Sequence, residues 1–497
     1  MNRAILRISL ACLAMFVLLL LNINYVQAFE ANKLAGEPGN IRVFDQQFTY
    51  QRGSIVANGD GTNLVIAKSE LVKGTNTYHR VYPYGPVYAP VTGFDTIYSQ
   101  SGIEQTENSL LAGTDSRLTI HNLTSLLTGK QKQGATVAVT ISPRAQQAAY
   151  NALLNDGGHQ AAVVAMNPST GAILAMASYP SFNPNELTTF NGTQLNDNYN
   201  KLVHDSSQPL LNRAVTPDYP PGSSFKIVTS SAAFSQGLLA NTNTTIPAPQ
   251  PLKLPNGNLL NNDGDAPCAN GNPPVIEAFY LSCNTAFAKL GIRLTAPVLR
   301  SYANKFGMNQ TIDIPFQVEP GLFPEDQGWT DPSLTAFSAI GQFDDEVSPL
   351  QEAMFASAIE NGGTLMKPYL VQQVLTPSLS VIQSASPTAL SHPVTPTVAS
   401  DVKQMMFQVT HNPAGTAYQT AGPPATSIQI YGKTGTAESG LTPQDSPDDA
   451  VFSCFVPAGP GVPSPIAVGV IVKGGGFGAD AAAPIAVKVI EAYLGHS

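Results

Sequence analysis

The stretch Tyr219-Pro220-Pro221-Gly222-Ser223-Ser224-Phe225-Lys226 joins an open, proline-rich approach to a serine and a lysine three positions apart. Residues at that spacing share one face of a helix, so a helix beginning at Ser223 projects both side chains together. A serine hydroxyl becomes a nucleophile when a neighbouring base takes its proton. Lysine can be that base once burial or a second cation lowers its pKa. The helix N-terminus also offers backbone N–H groups to a developing oxyanion. Alone, the pair fits an N-cap serine beside a surface lysine better than a catalytic couple. Ser282-Cys283-Asn284, after the helical pattern Val275 to Leu281, adds a second hydroxyl and an amide, which alone would serve as a helix cap. Gly432-Lys433-Thr434-Gly435-Thr436-Ala437 adds a second lysine and two hydroxyls in a strand expected from Gln429. Its glycines let another backbone approach closely, which suits a peptide bearing a carboxylate. The plainer alternative is a glycine-weakened edge strand.

These groups need a frame, and the apolar runs supply one. Ala161-Ala162-Val163-Val164-Ala165-Met166 and Ala172-Ile173-Leu174-Ala175-Met176-Ala177 flank the turn Asn167-Pro168-Ser169-Thr170-Gly171 and read as a β-hairpin. The runs 450–456 and 465–472 read as two more strands across a Pro/Gly turn. Their continuous apolarity implies burial on both faces. Helices are expected from Pro143 and over Pro484 to Leu494, with a long, mostly helical stretch between the strand groups. The fold class is therefore α+β: a mainly antiparallel sheet drawn from both ends of the segment, with helices on its faces. A strand at 136–141 is expected to open this region, giving a catalytic domain at 136–497. Residues 29–135 read as a smaller β-rich module with turns at 58–61 and 83–86 and no catalytic constellation.

The 497 residues suffice for two or three domains at roughly 150 residues each. Charged residues are 12% of the chain, about half the usual ~25%. The net charge of −9 leaves no basic stripe for phosphates, so a nucleic-acid partner is not expected. Arg3 and Arg7 precede an apolar stretch from Ile8 that continues to Val26. It approaches the ~20 residues needed to cross a bilayer. We read 1–28 as a cytoplasmic tip and single transmembrane anchor, with the N-terminus inside by the positive-inside bias; a cleavable signal peptide ending near Val26-Gln27-Ala28 is the competing reading. Either way the remainder lies outside the cytoplasm, where disulfides form. Beyond Cys12, Cys268, Cys283 and Cys454 form an odd set. Cys268 with Cys283 is the expected bridge, worth roughly 3 kcal/mol in the chain-entropy model; three buried thiols are the alternative.

Ser-x-x-Lys, Ser-x-Asn and Lys-Thr-Gly in this order mark penicillin-binding proteins and class A β-lactamases. The chain resembles the class B penicillin-binding proteins, and within them the actinobacterial penicillin-binding protein A group. Arg52-Gly53-Ser54-Ile55, the hairpin turn at 167–171, Ile340-Gly341-Gln342 and Ser348-Pro349-Leu350-Gln351 carry the likeness along the whole chain. It implies a penicillin-binding, serine β-lactamase-like transpeptidase domain behind a dimerisation or pedestal-like module. It also implies that Ser223 attacks the penultimate D-alanine of a stem peptide while Lys226 accepts its proton. Ser282 would relay a proton to the leaving D-alanine, and Asn284 would hold the donor amide and orient Lys226. Lys433 would lower the pKa of Lys226. Thr434 and Thr436, beside Gly435, would bind the terminal carboxylate, and the N–H groups of Ser223 and Thr436 would form the oxyanion hole. No metal or other cofactor is implied. The implied partners are stem peptides ending in D-Ala-D-Ala, β-lactam antibiotics and a membrane glycosyltransferase. The variable centre of the second motif is cysteine, Phe343 stands where many relatives have a small or polar residue, and Ser453-Cys454 replaces an aromatic pairing.

Three activities are compatible with these residues. A D,D-transpeptidase of growth or division passes the acyl group to an amine. A carboxypeptidase or β-lactamase passes it to water; the anchor and N-terminal module speak against a secreted β-lactamase. A silent β-lactam-binding scaffold would not need Ser223, Lys226 and Lys433 intact, and a sensor would need a cytoplasmic signalling portion.

Overall fold

The computed structural model describes residues 2–30, 48–118, 133–324, 331–437 and 447–496. In chain order its principal elements are α1 (Asn2–Tyr25), β1 (Ile55–Ala57), β2 (Leu64–Leu71), β3 (Tyr78–Val81), β4 (Thr136–Val139), α2 (Pro143–Leu154), β5 (Ala161–Met166) and β6 (Ile173–Tyr179). There follow α3 (Lys226–Ser235), α4 (Val275–Tyr280), α5 (Asn284–Leu294), α6 (Pro349–Glu360), β7 (Val371–Leu375), β8 (Val381–Ser384) and α7 (Pro396–His411). The last are β9 (Tyr431–Ala437), β10 (Asp449–Val456), β11 (Ile466–Val472) and α8 (Ala482–Leu494).

Among the described residues the segment Ile5–Tyr25 of α1 is unburied, and it is long and apolar enough to cross a membrane. Such a helix keeps its backbone bonds within itself, which a lipid environment demands.

The catalytic-region sheet runs β9-β10-β11-β5-β6 with every neighbour antiparallel. Every residue of β5, β10 and β11 is buried, so helices must cover both faces. α2 and α8 pack together against it. α6 packs against β5, β10 and β11 and is buried from Pro349 through Ile359. Its start is set by Ser348, whose side chain accepts from Gln351 N in a capping box, with Pro349 in the first turn.

The second sheet corrects one expectation. β4 does not open the catalytic sheet; it pairs in parallel with β1 (Ile55↔Val137) and antiparallel with β7. The order is β8-β7-β4-β1-β2-β3, so a boundary at 135 falls just before a strand of the N-terminal sheet, and residues 371–384 of the later region complete it. The physical reason is that β4 is apolar on both faces and buried at 137–139, so it needs partners on both edges. The N-terminal region also holds helical segments Gly85–Thr92, Gly102–Thr106 and Asn108–Leu111, which apolar runs alone did not announce. Buried Gln146 on α2 bonds Val87 O at 2.7 Å and both backbone groups of Met176, fastening those segments to β6. One hydrophobic core runs from Ile55 to Ile490.

Arg52 and Arg80 are buried in the N-terminal module around Glu104, with Asp95 3.5 Å from Arg52 Nε. Glu104 accepts from Arg52 Nε at 2.7 Å and Arg80 Nε at 2.6 Å, and the two guanidinium groups hold its pKa below the usual value although burial pushes the other way. Removing one partner of such a cluster leaves uncompensated buried charge, so Glu104→Gln is expected to destabilise by roughly 3–5 kcal/mol. Denaturant midpoints at pH 7 check this; an unchanged midpoint would show the cluster to be dispensable. Because the Glu104 pKa is depressed, its contribution is present at neutral pH and is lost as pH falls through it.

Candidate active site

The turn bearing Ser223 is tighter than a regular helix start. Gly222–Phe225 is a 3₁₀ turn, and α3 begins only at Lys226. Gly222 has φ +55°, and a Cβ there would lie 2.6 Å from the Thr436 carbonyl oxygen. From the facing strand, a Cβ on Gly435 would lie 2.6 Å from Pro221 O. Two glycines therefore let the turn and β9 touch backbone to backbone, which places the Ser223 and Thr436 peptides side by side. Gly222 N also donates to Gly341 O at 2.9 Å, and Phe225 stacks on Phe323 beneath the turn.

Lys226 is fully buried. Its Nζ lies 2.8 Å from Ser223 Oγ, 2.7 Å from Ser282 O, 2.7 Å from Asn284 Oδ1 and 3.3 Å from Ser282 Oγ. Burial, and then the charge of Lys433, push its pKa well down, with Asp263 opposing. A neutral amine has two protons and one lone pair. The two carbonyl oxygens at 2.7 Å can only accept, so they take the protons and leave the lone pair facing the Ser223 hydroxyl. That is the arrangement of a general base. The amide orientation of Asn284 is pinned from outside, because its Nδ2 donates to Asp263 Oδ1 at 2.9 Å.

Lys433 is equally buried and donates to Ser282 Oγ at 2.9 Å and Thr434 O at 2.8 Å. Burial brings its pKa down to about 7, against the pull of Asp263. The aromatic faces of Phe287 and Phe279 lie 5.6 Å from Lys226 Nζ and 5.8 Å from Lys433 Nζ, and would offset part of the lost hydration of either amine when protonated. Ser282 thus stands between both lysines. It has φ +60°, a left-handed conformation that is uncommon outside glycine and marks stored strain at a site. Cys283 stands just before α5 and is disulfide-bonded to Cys268, the Cα atoms 5.9 Å apart. The bridge ties the loop carrying Asp263 to the motif that Asp263 supports.

The structure brings Ser223, Lys226, Ser282, Asn284, Lys433, Thr434, Gly435 and Thr436 into one place. It adds residues that sequence reasoning passed over. Asp263 is one, hidden in a polar Asn262-Asp263-Gly264-Asp265 loop whose only signal is its closeness to Cys268. Thr416 is another: its Oγ1 lies 2.7 Å from Thr434 Oγ1, and nothing local announces it. Gln342, noticed only as part of a helical signature, donates to Thr436 O at 3.3 Å. Among the described residues no group of His, Cys, Asp and Glu has the geometry of a metal site.

Residues 161–491 match the model of the penicillin-binding protein transpeptidase domain, and residues 52–137 that of the penicillin-binding protein A dimerisation domain. The chain belongs to the penicillin-binding protein transpeptidase family. It is 39% identical to the peptidoglycan D,D-transpeptidase PbpA of Mycolicibacterium smegmatis over 99% of both chains. It is 38% identical to the Mycobacterium tuberculosis protein of that name, again over 99% of each. Its fold superposes on penicillin-binding protein A from M. tuberculosis, solved as a penicillin G acyl-enzyme complex, with a TM-score of 0.81 and 37% identity, covering 90% of this chain and 100% of that one.

Two outcomes are expected. Gly222→Ala should slow acylation by about 100-fold, since a displacement near 1 Å at a reacting group has that order of effect; burst kinetics with an activated acyl donor measure it, and a wild-type rate would contradict the close approach. Lys433→Gln removes a charge that lowers the Lys226 pKa. The base form exists above that pKa, so acylation falls as pH drops through it, and the variant's acid limb should move to higher pH. An unmoved limb would separate the two lysines electrostatically.

Proposed function

We propose that this chain is a serine D,D-transpeptidase that cross-links the stem peptides of peptidoglycan and is acylated by β-lactams. The observation that carries the reading is the buried Lys226 amine, 2.8 Å from Ser223 Oγ and held by Ser282 O and Asn284 Oδ1. Its support from relatives is twofold: similar chains are named peptidoglycan D,D-transpeptidases, and a similar structure is a penicillin G acyl-enzyme complex.

In this reading Lys226 takes the Ser223 proton as Oγ attacks the carbonyl carbon of the penultimate D-alanine. The tetrahedral oxyanion is held by the N–H groups of Ser223 and Thr436. Ser282, 3.3 Å from Lys226 Nζ, passes a proton to the departing D-alanine amine as the C–N bond breaks. Asn284 positions the donor amide; Thr434 and Thr436 receive the terminal carboxylate, with Thr416 supporting Thr434. The amine of a second stem then attacks the ester and returns the proton to Ser223, a ping-pong acyl transfer.

The remaining assignments follow from the same reading. Residues 1–28 serve as cytoplasmic tip and anchor, and 29–135, completed by β4, β7 and β8, as a pedestal that holds the catalytic region of 136–497 outside the membrane. A membrane glycosyltransferase polymerises the strands that this chain joins.

Ser223→Ala is expected to abolish the covalent adduct with labelled penicillin, and labelling at the wild-type level would overturn the assignment. Turnover of a defined stem peptide, with and without an added acceptor amine, separates transfer from hydrolysis: the cross-linked product should dominate when the amine is present. Hydrolysis alone under both conditions would make the protein a carboxypeptidase.

A further inference from the structure

Directly beneath the nucleophile turn lies a buried acid that the chemistry above does not use. Glu352, on α6, has no solvent exposure. Its Oε1 is 2.6 Å from Ser224 Oγ, and its Oε2 has no hydrogen-bond partner. Ser224 Oγ is also 2.8 Å from the carbonyl oxygen of Pro221. The helix is held in this place from the far side: Ser453 Oγ donates to Glu352 O at 2.7 Å, and a Cβ on Gly469 would come within 2.7 Å of the Glu352 Cβ.

Proton counting decides the state of this acid. Ser224 has one hydroxyl proton, and a peptide carbonyl can only accept. The proton therefore goes to Pro221, and the oxygen of Ser224 takes its second hydrogen bond from Glu352. A neutral carboxylic acid supplies that bond from Oε1 and leaves Oε2 as a carbonyl oxygen, whose lack of a partner costs less than an orphaned carboxylate oxygen would. An ionised Glu352 would instead set two acceptors against one proton.

We infer that Glu352 is a positioning residue, which as a neutral acid donates to Ser224 and so fixes the Pro221–Ser224 turn that presents Ser223. The inference rests on the assignment of Ser223 as nucleophile and adds a control on its placement. Burial acts in the same sense, pushing the carboxyl up to about 8. Of the elements packed on α6, β5 and β11 contain no titratable group. β10 carries Asp449 and Cys454, α3 carries Lys226, and α7 carries Asp401, Lys403 and His411. None of these contributes to the shift, which only the hydroxyls of Ser224 and Ser453 oppose.

The sign follows. Below about pH 8 Glu352 is neutral and the relay is intact. Above it the carboxylate claims the Ser224 proton, the bond to Pro221 is lost, and acylation falls on the alkaline side. Glu352→Gln retains an N–H donor and cannot ionise, so its acylation rate at pH 7 should stay within about threefold of wild type while the alkaline fall attributable to this group disappears. Glu352→Leu keeps the volume and loses the donor, and should acylate about tenfold more slowly at pH 7 with little change in non-covalent affinity for the acyl donor.

Stopped-flow acylation of the full chain by a chromogenic β-lactam, from pH 6 to 10, reads both. A wild-type rate in Glu352→Leu, or a wild-type alkaline limb in Glu352→Gln, overturns the inference. Where Glu352→Leu does not fold, the pH profile of Glu352→Gln decides alone. A Ser223→Ala control that still forms adduct would defeat the nucleophile assignment instead, so the two failures are distinguishable.

Discussion

The site depends on keeping two lysine amines out of water within reach of a single serine hydroxyl. Lys226 and Lys433 both lie against Ser282 Oγ, and each ammonium forfeits several kcal/mol of hydration when buried. The fold does not neutralise them with a buried carboxylate, as it does for Arg52 and Arg80 with Glu104. Instead burial favours the unprotonated form of Lys226, so the lost hydration leaves a free amine beside the Ser223 hydroxyl. Asp263 opposes both shifts and sits behind Asn284 rather than on the amines. That placement orients the amide without forming an ion pair that would restore the ammonium.

Such a site tolerates little movement, and its surroundings are stiff for that reason. The turn bearing Ser223 meets β9 through glycines on both sides, is stacked from below by Phe225 on Phe323, and rests on a helix buried along nearly its whole length. The strained Ser282 is followed at once by a disulfide-bonded cysteine. A left-handed serine persists only where neighbours over-determine it, and the covalent tie at Cys283 and the two lysines bonded to Ser282 are the neighbours that do so.

Much of this was legible in the chain. The apolar runs at 161–166, 450–456 and 466–472 announced strands buried on both faces because no polar residue interrupts them enough to suggest a solvent side. The three catalytic motifs stood in order because short-range spacing fixes which side chains share a turn. What escaped was set by distance. Asp263 acts from a loop 21 residues before Asn284, and Thr416 reaches Thr434 from another element. β7 has a mostly half-buried, polar pattern that does not name its partner. Glu352 did leave a trace, as an acid near the start of a helix apolar on every side, and such a residue must be neutral or paired.

The N-terminal sheet also sets an order of events in the life of the chain. β1 finds its parallel neighbour only when β4 has been made, and β4 gains its other neighbour only with β7, more than 230 positions further along. Chains emerge from the ribosome N-terminus first, so the first-made part of this protein waits with an open strand edge until three quarters of the sequence exists. An unpaired edge is a template for wrong partners. The N-terminal sheet therefore cannot be completed before residues 371–384 exist, and the interval until then is when its open edge has most need of protection.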